Sequence, residues 1–501
     1  MAGLPEMTPR IPPTSTHPVI QCVLQDDLKG LQTLLKDNDI DGLYPCTEMG
    51  CLTPLAAAVV YDKMDIAIYL LKEKGDLKTG KHDWDSNSKR WKDKFERLVH
   101  CLNTYDSKVI RIGSVAYIDD VDFRIAEGSD GTEVFVGLRE DGCEIAVKRM
   151  HKSNFQVLKK EQLLRRIPKL HHRCVVKCVD SAEDKDFGYL FLQLCEYTLE
   201  EHIRGNDGSL CPEDLVCDVL HSLRALHCEE PRILHRHLTP QNVLIDVEGR
   251  ARLAGFGMSR LLPKDQTTYQ SHRTETDCWM ATECLKEDDD IQYTTSTDVQ
   301  VAGMMTYFIL SGGHHPFGEE SSMLTSNIRE GEYTLDHVKD AVAKDLIKRM
   351  LEKEPQTRPT VEECLNHPFF WTSTKKVEYL RKVANKKEVA SRQSINKELL
   401  SILDEYAEGV SYTKWKNEFS PKLVRRMEKW IKEPYPDNVM GLLRFMRNVF
   451  ENCHDEEANV DLLSLFPHLF GCVYQFTIRQ GWNLEHPLKT MFIPDEEQRY
   501  Y

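Results

Sequence analysis

Apolar and polar positions along the chain change their spacing several times, and each change marks an element. Met1 to Pro18 is rich in Pro and Thr, which predicts disorder. From Val19 to Leu71 the pattern predicts two helical hairpins. Gly75 to Val109 is highly charged, with Lys81 to Lys94 rich in Lys, Asp and Trp, and reads as a linker with one short helix. Val121 to Val147 alternates as strands do, broken by Gly128, Gly131 and Asp141-Gly142, and predicts consecutive hairpins. Helical periodicity dominates from about Leu215 to the end, so the middle domain is α+β with its strands first. Ser420-Pro421 is a helix start, leading into Leu423, Met427 and Ile431. In a second helix, Leu442, Leu443, Phe445, Met446, Val449 and Phe450 share one apolar face, with Arg444, Arg447 and Glu451 pointing the other way.

Composition narrows the class. The chain has 501 residues, 41% of them hydrophobic, with 22 Pro, 26 Gly and a net charge of -15. A length well beyond the roughly 250–300 residues at which a single core stops growing implies several domains. The longest nearly apolar stretch, Val299 to Leu310, is shorter than the ~20 residues that cross a bilayer. The first twenty residues hold no continuous apolar run, so neither a membrane span nor a secretory signal is expected. The 16 Cys contain no CxxC pair, which predicts reduced thiols, a cytoplasmic location and no metal centre. The expected segments are 1–18 disordered, 19–80 helical repeats, 81–120 linker, 121–371 the α+β domain and 372–501 an all-α domain.

Thr53-Pro54-Leu55-Ala56-Ala57-Ala58, followed by Ile66 to Leu71, resembles an ankyrin repeat, and Leu31-Leu34-Leu35 resembles the second helix of a preceding one. An ordinary helical hairpin is the plain alternative. Ile145-Ala146-Val147-Lys148 is followed by His235-Arg236-His237-Leu238-Thr239-Pro240-Gln241-Asn242 and then by Leu253-Ala254-Gly255-Phe256-Gly257. Trp279-Met280-Ala281-Thr282-Glu283, Asp298 and Arg358-Pro359 complete a series that resembles a bilobal protein kinase over about Val121 to Trp371. A kinase orients the attacking hydroxyl with one Asp and holds magnesium with another. Here His237 and Gly255 take those two places, and Gly255 has no side chain to bind a metal, so phosphotransfer is not expected. The resemblance implies a nucleotide cradle of Gly128, Gly131, Lys148, Glu161, Cys195 and Asn242, taking ATP or ADP with magnesium disfavoured. Equally open is an empty cleft in which Lys148 and Glu161 form a structural ion pair.

The helix from Gly441 to Phe450, directly behind a kinase-like region, resembles the KEN ribonuclease domain of RNase L and of the stress-sensing kinase/endoribonuclease of the endoplasmic reticulum. The ankyrin-like start tilts the resemblance towards RNase L. It implies a homodimer formed through the kinase-like and KEN domains, and metal-free cleavage of RNA. The family's Tyr, Arg-Asn pair and His match Tyr435, Arg447, Asn448 and Asn452, and Trp415 matches a Trp of the RNase L site. Asn452 stands where the His belongs, and an amide does not transfer protons at neutral pH. Gly441 replaces an Asp. His454, two residues on, is either a substitute or a solvated surface His. Arg447 is either a phosphate ligand or the partner of Glu451 at i+4.

Two functions follow from the resemblance: an endoribonuclease gated by dimerisation, weak or lost in this copy, or an inactive regulator that binds RNA or pairs with an active relative. The acidity does not oppose RNA. Thr372 to Tyr501 carries 20 Lys+Arg against 19 Asp+Glu, so the negative charge lies upstream and RNA contact is expected at Arg444 and Arg447.

Overall fold

The computed structural model describes residues 16–36, 88–104, 106–128, 131–154, 159–162, 164, 167–205, 208–228, 230–262, 266, 268–271, 277–285, 291–390, 397–407, 412–429, 431, 433–452 and 461–493, and, within 37–87, only 38, 44–46, 50–52, 54, 57–58, 63, 66 and 69–70. The chain forms two compact units, residues 1–158 with 178–196, and 159–177 with 197–501.

In the first unit, α1 (Pro18–Leu24) and α2 (Leu28–Leu34) are followed by a hairpin of β1 (Tyr44–Cys46) and β2 (Gly50–Leu52). Val19, Ile20, Val23 and Leu31 pack with Ala57, Ala58, Ile66 and Leu70 in one small core. Most of the ankyrin-like segment Thr53–Leu71 lies outside the described residues, as does nearly all of the expected disordered start.

Within the expected linker over 81–120 the one expected helix forms as α3 (Lys92–Asn103), and two strands that were not expected follow it, β3 (Val109–Ile112) and β4 (Val115–Ile118). They join β5 (Arg124–Glu127), β6 (Glu133–Arg139), β7 (Glu144–His151), β8 (Cys178–Glu183) and β9 (Phe187–Gln193) in one antiparallel sheet, in order β3-β4-β6-β7-β9-β8 with β5 on β6. Tyr117, Phe135, Ile145, Val147, Tyr189 and Phe191 form its core. Arg149, buried among them, is held by Asp119 and Glu133, each at 2.5 Å.

The second unit begins with β10 (Tyr197–Thr198), α4 (Leu199–Gly205) and α5 (Pro212–His227). Pro212 in the first turn, Glu213 and Asp214 after it, and Arg224 and His227 in the last turn match the helix dipole. Short strands follow: β11 (Ile233–Leu234), β12 (Val243–Ile245), β13 (Ala251–Leu253), β14 (Arg260–Leu261), β15 (Tyr269–Ser271) and β16 (Ile291–Tyr293). Then come α6 (Thr295–Leu310), α7 (Ser321–Glu330), α8 (Ala341–Met350) and α9 (Val361–Leu365). The helical domain is α10 (Ser373–Ala384), α11 (Lys387–Ala390), α12 (Lys397–Tyr406), α13 (Pro421–Glu428), α14 (Val439–Asn452), α15 (Leu462–Leu465) and α16 (Leu469–Arg479). As expected, Ser420 caps α13 by accepting from the Leu423 N–H.

The motif residues of the kinase-like part meet in space. Glu283 and Arg358 form a buried two-pronged pair at 2.9 and 2.7 Å. Asp298, fully enclosed, accepts from His227 and from the backbone of His235 and Arg236. Burial pushes its pKa up, but these donors and the neighbouring histidines outweigh it and hold the carboxyl below its usual range. No described helix is long and apolar enough to cross a membrane.

The α8 helix docks on α16 through one carboxylate. Asp345 Oδ2 receives Arg349 Nε at 2.9 Å, His367 Nε2 at 3.0 Å and the Tyr474 hydroxyl at 2.8 Å. His367 Nδ1 accepts from the Phe369 N–H, so the ring is the neutral Nε2–H tautomer, in keeping with a pKa lowered by burial.

Candidate active site

The RNA-cleaving candidates lie around α14. Trp415 is buried and donates its indole N–H to the Pro436 carbonyl at 3.1 Å. Its ring packs 4.9 Å from Phe445 and 6.3 Å from Tyr435. Trp415 therefore pins the loop in front of α14. Gly441 serves the same contact: a Cβ there would run into the Pro436 carbonyl oxygen. Tyr435 is likewise buried, and its hydroxyl accepts from Asn448 Nδ2 at 2.5 Å.

Arg447 is partly exposed. Its Nε donates to Asn385 Oδ1 at 2.6 Å, and Glu451 stands 3.6 Å from a terminal nitrogen. The i+4 ion pair is thus present, but loose. Asn452 sits at the last position of α14 and turns its Nδ2 back to the Asn448 carbonyl at 2.9 Å. His454 lies outside the described residues. Arg444, expected to face solvent, is 5% exposed and donates Nε to the Val389 carbonyl at 2.6 Å. A guanidinium spent inside the domain tying α14 to α11 is not an RNA contact, so that expectation is corrected.

The nucleotide-cradle candidates divide between the units. Gly128, Gly131, Lys148 and Cys195 belong to the first, and Glu161, His237, Asn242 and Gly255 to the second. Within the first unit, the Gly128 N–H donates to Thr132 and the Gly131 N–H to Gly128, so both are spent inside the loop instead of being offered to a phosphate. Gly131 has φ +74°, which suits glycine. Lys148 sits half-buried on β7 opposite Leu190. Cys195 gives its carbonyl to the Trp91 indole N–H at 3.0 Å, while Arg90 reaches the Glu196 carbonyl at 2.7 Å and the Lys89 N–H reaches the Glu196 carboxylate at 2.5 Å. The segment before α3 is therefore latched along Cys195-Glu196, a contact the sequence reading missed.

In the second unit Glu161 is fully buried. Asn242 Nδ2 donates to the His237 carbonyl at 2.9 Å and to His237 Nδ1 at 3.0 Å. Gly255 adopts φ +76°, and a Cβ there would collide with the Asn242 carboxamide. The amide fills the space next to position 255 and is tied to His237. Among the described residues no group of three or more His, Cys, Asp or Glu is placed to hold a metal. These side chains do not fit a magnesium ion.

Two sequence profiles match the chain: that of the protein kinase domain over residues 121–370, and that of ribonuclease 2-5A over 376–486. It is 32% identical over 384 residues to the human serine/threonine-protein kinase/endoribonuclease IRE2, an alignment covering 73% of this chain and 40% of that protein. Against the serine/threonine-protein kinase/endoribonuclease IRE1 of Oryza sativa subsp. japonica it is 30% identical, covering 71% and 41%. Against the sensor for unfolded proteins in the ER, ire1, of Schizosaccharomyces pombe it is 29% identical, covering 67% and 34%. The chain spans about two fifths or less of the length of these relatives.

Proposed function

Because this chain joins a protein kinase domain to a ribonuclease 2-5A domain, we propose that it is a pseudokinase-KEN protein of the RNase L kind whose helical domain binds RNA, with cleavage weak or lost. One observation carries the reading. Tyr435, Arg447 and Asn448 are held around α14, while Asn452 turns its amide onto the helix backbone at the position where the family resemblance places the proton-transferring His. Tyr435, Arg447 and Asn448 support the binding of RNA, the Asn452 amide does not transfer protons at neutral pH, and general acid–base help is worth typically ~10²–10⁴-fold in rate.

A dimer through the kinase-like and KEN domains, with itself or with an active relative, belongs to the same proposal. The RNase L tilt rests on the ankyrin-like start. A cytoplasmic location is supported by thirteen cysteines that stand as free thiols. ATP or ADP, if held, binds weakly and without magnesium.

Purified full-length chain at dimer-forming concentration, mixed with a structured and a single-stranded RNA, tests the reading. Binding with little or no cleavage supports it. Strong cleavage that vanishes in Arg447→Ala would show a working nuclease instead.

A further inference from the structure

With Arg444 turned inward, α14 offers a phosphate only Arg447 of its two arginines, and a single guanidinium holds a strand poorly. What stands beside Arg447 is the end of α10. Asn385, the residue that closes that helix, accepts from Arg447 Nε at 2.6 Å. Arg381 lies one helical turn before Asn385, on the same face, and α11, which follows at once, packs against α14.

This corner is basic in an acidic chain. Between Lys375 and Glu388 the sequence places six cations against two carboxylates. Four of the six are used by the protein itself. Lys375 lies over the Trp371 ring and Lys376 over Phe470, Lys382 pairs with Glu378 at 3.2 Å, and Lys386 pairs with Glu485 at 2.6 Å. Arg381 and Lys387 are exposed and form no ion pair among the described residues. The helix dipole accounts for cations in the last turn of α10. It does not account for the amide that holds Arg447 against that turn.

We propose that Arg381, Lys387 and the Asn385-held Arg447 form one phosphate-binding track along which the backbone of a single-stranded RNA is laid. The inference rests on the RNA-binding reading above and adds the residues that lie outside the matched motif. Arg381 and Lys387 supply charge. Asn385 is a positioning residue: it fixes Nε, so that a phosphate meets the terminal nitrogens of Arg447, in place of the loose Glu451 contact at 3.6 Å.

Counterion release separates these roles, because each phosphate neutralised on a single strand contributes about 0.7 to the slope of log K against log salt. Binding of a fluorescent single-stranded RNA to the full chain is measured by anisotropy across a salt series. Arg381→Ala with Lys387→Ala is expected to weaken binding ~10-fold at low salt and to flatten the slope by about 1.4, with thermal unfolding unchanged. Asn385→Ala is expected to weaken binding several-fold with the slope intact, since no charge is removed. Lys489→Ala, an exposed cation elsewhere in the domain, is expected to change neither. Wild-type affinity and slope in the double variant would overturn the track and leave the RNA reading standing. No binding by the wild type at any salt concentration would overturn both.

Discussion

Asn448 donates its carboxamide to the Tyr435 hydroxyl at 2.5 Å, so the middle of α14 and the loop before it hold each other in place. Tyr435 is buried. At the place where the resemblance puts a proton-transferring His, α14 ends in Asn452.

Asn452→His is expected to create or raise RNA cleavage by at least ~10²-fold, read with a fluorophore-quencher RNA. The last turn of α14 favours a cationic imidazole there. Adding Arg447→Ala should remove the gain. No gain in the single variant, with RNA binding intact, would mean that more than the proton carrier has been lost.

Gly255→Asp is expected not to restore a magnesium site. The αL backbone makes any side chain there cost about 1–2 kcal/mol, and the Asn242 amide stands in the way. Thermal unfolding with ADP should be the same with and without magnesium chloride in both wild type and variant. A magnesium-dependent shift in either would refute the account of Asn242.

Trp91→Phe removes an N–H while keeping a ring, and releases the Cys195 carbonyl. Losing a buried donor costs about 1–3 kcal/mol, which an adenine amino group can offset. ADP affinity, measured by calorimetry, is expected to rise about tenfold. Unchanged affinity would show that the latch does not govern the nucleotide.

Gly441→Ala should destabilise, although alanine ordinarily gains about 1 kcal/mol over glycine inside a helix. The added methyl meets a backbone carbonyl that Trp415 holds still, and overpacking of this kind costs about 1–3 kcal/mol. A raised melting temperature would contradict the contact.

Acid should weaken the second unit before its carboxylates titrate. Burial pushes the pKa values of His235 and His315 down to about 4. Unfolded, both take up protons near pH 6.5. The unfolded chain therefore binds more protons between those values, and stability falls as the pH drops from about 6.5 towards 4. His235→Gln, whose amide can still donate to Ala254, should show a shallower fall in melting temperature over that range.

Much of this architecture was legible because its residues answer to one constraint each. Glu283, Asp298 and Arg358 are polar residues in apolar surroundings, and they are buried because they satisfy one another and the backbone around them. The hairpin of β3 and β4 was missed at the end of the expected linker, though Ile112-Gly113-Ser114-Val115 carries the signal of a two-residue turn, and Gly113 has φ +59°. Arg444 was misjudged because helical spacing tells which side of a helix a residue leaves from, not where a long side chain ends. Asn385 and Trp91 were invisible for a different reason: each acts on a partner about 60 or 100 residues away in sequence.

The oxygen of Asp345 that receives both Tyr474 and His367 lies within a core that runs unbroken from Leu164 to Met491 among the described residues. The seam near Trp371, where the protein kinase match ends and the ribonuclease 2-5A match begins, is therefore not a boundary of folding. A fragment cut there would carry a raw apolar face with a stranded carboxylate or phenol in it, so the two pieces stand or fall together in folding.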